Sequence, residues 1–320
     1  MSSLEIGLLI ACIILAILLF VVLFFVVGGV ASSLIIKRNN PLGRGIGRKN
    51  KRLAKRLKID YKWWNKFDEE YALIKSFDNL TLSARLIRQS TNKIAIVCHG
   101  FMNEYQDMQS YCKYFYDRGF TVLAVDNRAH GRSEGEIVGM GWLDRFDILK
   151  WIEYCISNFG DDCQIVLFGL SMGAATVCMT CGEELPENVK CAISDSAYDS
   201  VYNVFDHVMK KSIKLSLIKS VNAYSKLFLG ASLKEQDTVK LVKNSKTPIL
   251  FIHGSGDDFV PFEMMDKLYN SVDEKLREKY VVENAWHGEA KAKNVKKYNY
   301  VCDKWISKFV KWLDKKVNWE

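Results

Sequence analysis

The sequence predicts an α/β protein: a mostly parallel eight-stranded sheet with helices on both faces, a small helical cap, and one transmembrane helix in front of it. Three observations predict this. From residue 93 onward, short apolar runs alternate with amphipathic stretches of helical length, the pattern of parallel strands covered on both faces. About fifty residues separate the sixth strand candidate from the seventh, more than one crossover needs, so part of that interval caps the sheet edge. Residues 7–36 carry no charge at all, whereas roughly 20 apolar residues are enough to cross a bilayer core as helix.

The chain divides in that order. Residues 1–36 read as an uncleaved transmembrane helix. A cleaved secretory signal is the competing reading, but it needs a basic start and an apolar run of roughly 7–15 residues. Here Met1–Glu5 holds no Lys or Arg, and the apolar run is far longer. Residues 37–60 form a basic juxtamembrane linker, with ten Lys/Arg and no acid over 37–58. The positive-inside rule places the C-terminal side of the span in the cytoplasm, on a single-pass protein of the cell membrane. Nine cysteines, an odd number scattered through apolar segments, fit the same reducing compartment. The basic run also carries the charge to meet anionic lipid, at about 1 kcal/mol per Lys/Arg; a stop-transfer flank and solvated linker explains it more simply. The formal charge of +8 is concentrated there. Residues 61–320 are close to neutral, which excludes a nucleic-acid-binding body.

Within residues 61–320 the strand candidates are Tyr71–Phe77, Leu80–Gln89, Lys93–Cys98, Thr121–Asp126, Gln164–Gly169, Lys190–Ser194, Pro248–His253 and Lys279–Val282. Asp78-Asn79 is a turn signal, so the first two form an antiparallel hairpin. Helices are expected over 106–118, 141–158, 172–184, 262–275 and 294–316. The cap insertion covers about 197–246, with helical spacing at Val201, Val204, Phe205 and Val208, and again at Ile218, Val221, Tyr224 and Leu227.

The chemistry centres on Gln164–Gly173, QIVLFGLSMG, an apolar strand running into G-x-S-x-G and then a small-residue helix start. Such a turn lifts Ser171 out of the sheet top, and a Cβ at Gly169 or Gly173 would clash with the tight turn and packed helix. A serine nucleophile needs a base. Of five histidines, His287 follows the last strand, with an acid-bearing loop between it and Ser171. That gives the chain order Ser, acid, His. Asp257, in the loop after the penultimate strand, is the acid chosen to orient the imidazole. Asp258 and then Asp195 are the fallbacks. Developing oxyanion charge needs amide donors, and the candidates are the backbone N–H groups of Met172 and of Phe101, the latter beside Gly100. The C-x-x-C at Cys178 and Cys181 reads as a packed helix. No cofactor or metal is expected.

These pieces carry a resemblance. His99-Gly100-Phe101, Asp126–Ser133, Gly169–Gly173, His253–Pro261 and Ala285–Gly288 stand in the order found in the α/β-hydrolase superfamily. Within it the set is most similar to bacterial membrane-anchored serine hydrolases near the serine aminopeptidase and monoacylglycerol-lipase-like branches. The resemblance implies the α/β-hydrolase fold and a Ser-His-Asp triad. It also implies that His130 braces a loop rather than reacting. Trp286, where the family often has a small residue, departs from the pattern and leaves the acyl size open.

The expected activity is therefore hydrolysis of a carboxylic ester, thioester or amide through an acyl-enzyme, acting on a small acyl or peptide substrate. One rival is an aminopeptidase-like enzyme for short peptides, which needs a pocket carboxylate such as Asp206, Glu235 or Asp237 for the free amine. Another is a non-catalytic, membrane-tethered binding scaffold.

Overall fold

The computed structural model describes residues 2–38, 61–210 and 216–311. All of the basic linker except Lys37 and Arg38 falls outside the described residues. One eight-stranded sheet runs through the body in the order β1-β2-β4-β3-β5-β6-β7-β8. Its strands are β1 (Tyr71–Lys75), β2 (Thr81–Ile87), β3 (Lys93–Cys98), β4 (Thr121–Val125), β5 (Gln164–Leu170), β6 (Val189–Asp195), β7 (Ile249–Gly254) and β8 (Arg277–Val282). Only β2 runs against its neighbours, closing the expected hairpin with Tyr71 opposite Arg85. Every other pairing is parallel. This is the mostly parallel sheet that the alternation of elements predicts and the α/β-hydrolase arrangement that the resemblance implies.

The two faces are legible in the strands themselves. In β3 every residue is buried, yet Ile94, Ile96 and Cys98 enter one apolar cluster while Ala95 and Val97 enter the other. In β5, Ile165 and Leu167 oppose Val166 and Phe168 in the same way. That is the two-residue period of a strand covered on both sides.

Between the strands lie α2 (Gln109–Tyr116), α3 (Asp144–Phe159), α4 (Met172–Cys181), α5 (Val201–Lys210), α6 (Ser216–Leu229), α7 (Thr238–Val242) and α8 (Phe262–Ser271), and after β8 come α9 (Ala290–Lys293) and α10 (Val295–Ile306). Helices α3, α4 and α8 cover one face. On the other, α2 and α10 are joined by Trp63 and Trp64 from a 3-10 turn, Tyr61–Lys66.

Where boundaries differ from expectation, local chemistry explains it. The helix expected from 141 begins at Asp144, because Met140 and Gly141 take positive φ and the Asp144 carboxylate accepts the Gly141 N–H. The helix expected to reach 184 stops at Cys181. There Gly182 lies so close to α7 that a Cβ would stand 2.3 Å from the Leu241 carbonyl oxygen. The last helix ends at Ile306, and residues 312–316 of the expected span fall outside the described residues. In the interval about 197–246, α5 and α6 form the cap, whereas α7 packs on α4 and α8 within the helical layer.

Ahead of the body runs α1 (Ser3–Ile35), capped by a reciprocal Ser2–Glu5 box. It is long and apolar enough to cross a membrane, a property shared by membrane anchors and signal sequences. Residues 3–23 are exposed, whereas Gly28, Ala31 and Ser32 are buried where the helix meets α6.

Phe168 ties the face of α2 to the strand that ends at Ser171. It is fully buried, with its ring centroid 4.7 Å from Tyr111 and 5.9 Å from Phe115. Phe168→Ala should cost about 3–5 kcal/mol. The expected result is a lower urea midpoint at unchanged m-value.

Candidate active site

Ser171 stands between β5 and α4 at φ 56°, ψ −117°, a backbone conformation that side chains rarely adopt. Both of its backbone polar groups are held. The N–H donates to the Asp195 carbonyl at 2.8 Å, and the carbonyl accepts from Ala175 N–H at 3.0 Å. The flanking glycines are steric necessities. A Cβ on Gly169 would stand 2.1 Å from the Gly173 carbonyl oxygen, and one on Gly173 would stand 2.3 Å from the Cys98 carbonyl oxygen.

The loop after β8 brings His287 to this turn. The Ser171 hydroxyl lies 2.8 Å from His287 Nε2, and His287 Nδ1 lies 2.7 Å from Asp257 Oδ2. With Nδ1–H donating to the carboxylate, Nε2 is left to accept from the serine. Asp257 comes from the turn after β7. Its Oδ1 accepts the N–H groups of Phe259 and Val260 at 3.0 and 2.9 Å. Burial alone would raise its pKa, but the charge of His287 and hydrogen bonds from His253 and His287 outweigh it and hold the carboxyl well below the usual range.

His253 is a site residue that sequence reasoning left without a role. It is wholly buried at the end of β7, with Nε2 2.9 Å from the Val260 carbonyl oxygen and 3.3 Å from Asp257 Oδ2. The available signal was its position, four residues before Asp257 on the same strand-to-turn connection.

The fallback acids sit elsewhere. Asp195 is buried, which raises its pKa. Its two oxygens accept from the Ser196 and Tyr298 hydroxyls at 2.9 and 2.7 Å. Asp258 is exposed, and its carbonyl accepts from His207 Nε2–H on the cap helix α5 at 2.9 Å. Asp257 is the acid that hydrogen-bonds the imidazole.

The Gly100-Phe101 loop abuts the serine, since a Cβ on Gly100 would lie 3.3 Å from Ser171 Cβ. Its next amide is already used: Met102 N–H donates to His130 Nε2 at 3.2 Å. Met172 opens α4, so its N–H points out of the helix start without an intrahelical partner. His99 and His130 hold this loop from below. His99 Nδ1–H donates to the Gly100 carbonyl at 2.7 Å, and its Nε2 accepts Asn127 N–H at 3.0 Å. His130 Nδ1–H donates to the Arg128 carbonyl at 2.9 Å. Burial pushes both imidazoles down, His99 to about 4 and His130 to about 3, the latter lowered further by His99. Around His287, the Phe259 ring lies 5.1 Å away by centroid, and Trp286 stands 50% exposed at the surface. The whole arrangement, a hydroxyl relayed to a carboxylate with amides alongside, is able to perform acyl transfer.

The sheet order and the turn at Ser171 are those of the α/β-hydrolase fold, which solved structures similar to this chain share. The chain is similar to the esterase Pf2001 of Pyrococcus furiosus, with a TM-score of 0.65 and 22% identity, covering 81% of this chain and 94% of that one. It is also similar to Est1E of Butyrivibrio proteoclasticus, solved with ferulic acid bound, with a TM-score of 0.60 and 16% identity over 74% and 98% of the two chains. At these identities the likeness is one of fold. The family model for serine aminopeptidase (S33) matches residues 89–215 of the chain. Similar sequences include the uncharacterized protein YqkD of Bacillus subtilis, 25% identical over 222 residues, covering 68% of this chain and 72% of that protein. The uncharacterized protein R595 of Acanthamoeba polyphaga mimivirus is 27% identical over 228 residues, covering 67% and 74%.

The two buried imidazoles set a pH dependence of stability. In the unfolded chain they take protons near pH 6.5, but in the fold only near 4 and 3. Between these values the unfolded state binds more protons, so stability falls as pH drops below 6.5 and is unaffected by this pair above it. Denaturant titrations at pH 7, 5.5 and 4.5 should show a loss of about a few kcal/mol, and His130→Gln should flatten the slope.

Proposed function

We propose that the chain is a membrane-anchored serine hydrolase that cleaves a carboxylic ester, thioester or amide through an acyl-enzyme. The observation that carries this reading is the unbroken relay from Ser171 through His287 to Asp257, at 2.8 and 2.7 Å, mounted on a strained backbone turn. In the first half-reaction the Ser171 oxygen attacks the acyl carbon while His287 Nε2 takes its proton. The tetrahedral oxyanion is received by the N–H groups of Phe101 and Met172. Collapse breaks the bond to the leaving group, which takes the proton back from His287. Water repeats the sequence and frees the acid. Asp257 stays ionised throughout, fixing the tautomer and stabilising the imidazolium.

Ester cleavage is the preferred form. The structural neighbours include esterases. The peptidase rival wants a carboxylate for a free amine, and two of its three candidates are engaged in other work. Glu235 pairs with Lys226 at 2.7 Å, and Asp237 caps α7 through Lys240 N–H. The scaffold rival gives no reason for a hydroxyl, imidazole and carboxylate to be aligned on so strained a turn.

The apolar length of α1 and the ten basic residues behind it support a membrane span with the body on the cytoplasmic side. Anionic lipid is a further partner for that basic run, whose described part is Lys37 and Arg38.

A fluorophosphonate probe should label the wild type and spare Ser171→Ala, and ester turnover should fall at least about 10⁴-fold in Ser171→Ala and comparably in Asp257→Asn, both still folded by circular dichroism. A folded wild type that takes no label returns the scaffold reading. Acyl esters of graded length set against aminoacyl anilides separate esterase from peptidase.

A further inference from the structure

Helix α1 is exposed along most of its length and then enters the fold. Every residue from 3 to 23 is exposed, Phe24 and Phe25 are half-buried, and Gly28, Ala31, Ser32 and Ile36 are buried. The uncharged stretch ahead of the first buried residue, 6–27, spans about 33 Å as helix, slightly more than a hydrocarbon core of roughly 30 Å. If it crosses, the bilayer surface falls where the helix meets cap helix α6. That contact is close. A Cβ on Gly28 would stand 2.5 Å from the Ser220 carbonyl oxygen, and one on Gly29 would stand 3.0 Å from the Tyr224 ring. On α6, Ile218, Ser220 and Val221 are almost wholly buried.

Two arms run from this junction to the site. Helix α6 packs on α5, whose His207 hydrogen-bonds the carbonyl of Asp258, one residue past Asp257. Beyond α1 the chain pairs with the segment after β4. Arg38 N–H donates to the Glu136 carbonyl, and Val138 N–H donates to that of Ile36, both at 2.7 Å. The Arg38 guanidinium donates to the carbonyls of Ser133 and Gly131, each at 2.6 Å. That loop carries His130, which holds the Met102 amide beside Phe101. The helix therefore joins the body on the rim where Ser171 sits. The covalent connection alone would not fix this, since the 22 residues 39–60 reach up to about 70 Å when extended.

We propose that α1 docks the cap against the bilayer, holding the Ser171 rim at headgroup level, and that the substrate is an amphiphilic acyl ester lipid drawn from the surrounding leaflet. This rests on reading α1 as a membrane span and Ser171 as the nucleophile. The cap helix lying at that level also carries an apolar side chain suited to it, Leu227, at 63% exposure.

The full chain in phosphatidylcholine vesicles tests this with two probes, a fluorescent long-chain glycerol ester dissolved in the vesicles and p-nitrophenyl acetate in water. Gly28→Leu wedges the α1–α6 contact while keeping α1 apolar. It should resist carbonate extraction like the wild type and cleave the soluble ester within twofold, yet lose at least tenfold on the embedded ester. Tyr224→Ala, a gentler change in the same contact, should lose about threefold on the embedded ester alone; it decides the matter if Gly28→Leu misfolds and loses both activities. The proposal is overturned if both variants keep embedded-ester turnover within twofold of wild type, or if the wild type cleaves only the soluble ester. A wild type that cleaves neither ester, or that carbonate strips from the membrane, brings down the proposed function itself. That outcome is distinct because it is seen before any variant is compared.

Discussion

The backbone of Ser171 is the constraint on which the rest depends. A residue with a side chain is held at φ 56°, and such strain persists only where the surroundings over-determine it. Here they do so from three directions. The end of β6 takes the Ser171 N–H, Gly173 seats α4 directly on the end of β3, and Gly100 lets the neighbouring loop press against the serine side chain. Each contact is backbone against backbone or nearly so, which leaves no flexible side chain to absorb an error. The parallel sheet makes this possible, because β3, β5 and β6 end side by side and deliver those groups to one rim.

Charge is rationed around that rim. His99 and His130 sit directly behind the loop of Phe101, yet burial keeps both neutral, so they act as fixed hydrogen-bonding struts. Asp257 is treated differently. It too is buried, but two backbone amides and two imidazoles surround its oxygens and keep it ionised. Two histidines neutral by burial and one carboxylate charged despite burial leave His287, between the Ser171 hydroxyl and that carboxylate, as the imidazole on which the proposed proton transfer rests.

The sheet was legible in the sequence because strands buried on both faces leave nearly continuous apolar runs; β3 has the limits expected of it, Lys93–Cys98. The turn at Ser171 was legible because it demands glycine at fixed offsets. Helix limits were harder to read. Periodicity reports which face is apolar, but the start at Asp144 depends on the positive φ of Met140 and Gly141, which hydrophobic spacing does not encode. Asp257 was preferred to Asp258 and Asp195 for its place in the loop after the penultimate strand, and its Oδ2 lies 2.7 Å from His287 Nδ1, whereas Asp195 ends β6. His253 stayed invisible because its partners are the carbonyl of Val260 and the carboxylate of Asp257, contacts set by the curl of one turn rather than by any pattern along the chain.

The docking of α1 was equally hidden, and it bears on what that helix is. A signal sequence is discarded, so a body that outlives it should close its own surface. This body does not. Without α1 and the residues just after it, α6 would lose the helix packed against it at Ser220 and Tyr224, and the loop carbonyls of Gly131 and Ser133 would lose the Arg38 guanidinium. The glycines at 28 and 29 sharpen the point. An apolar span in lipid gains nothing from glycine, which weakens a helix by about 1 kcal/mol relative to alanine. They become intelligible when the Ser220 backbone must come within reach of Gly28 and the Tyr224 ring within reach of Gly29. The same segment thus has two physical surroundings, apolar and unpartnered over its first six turns, then small and closely packed over its last two. The proposed anchor, being also a structural part of the cap, would account for both.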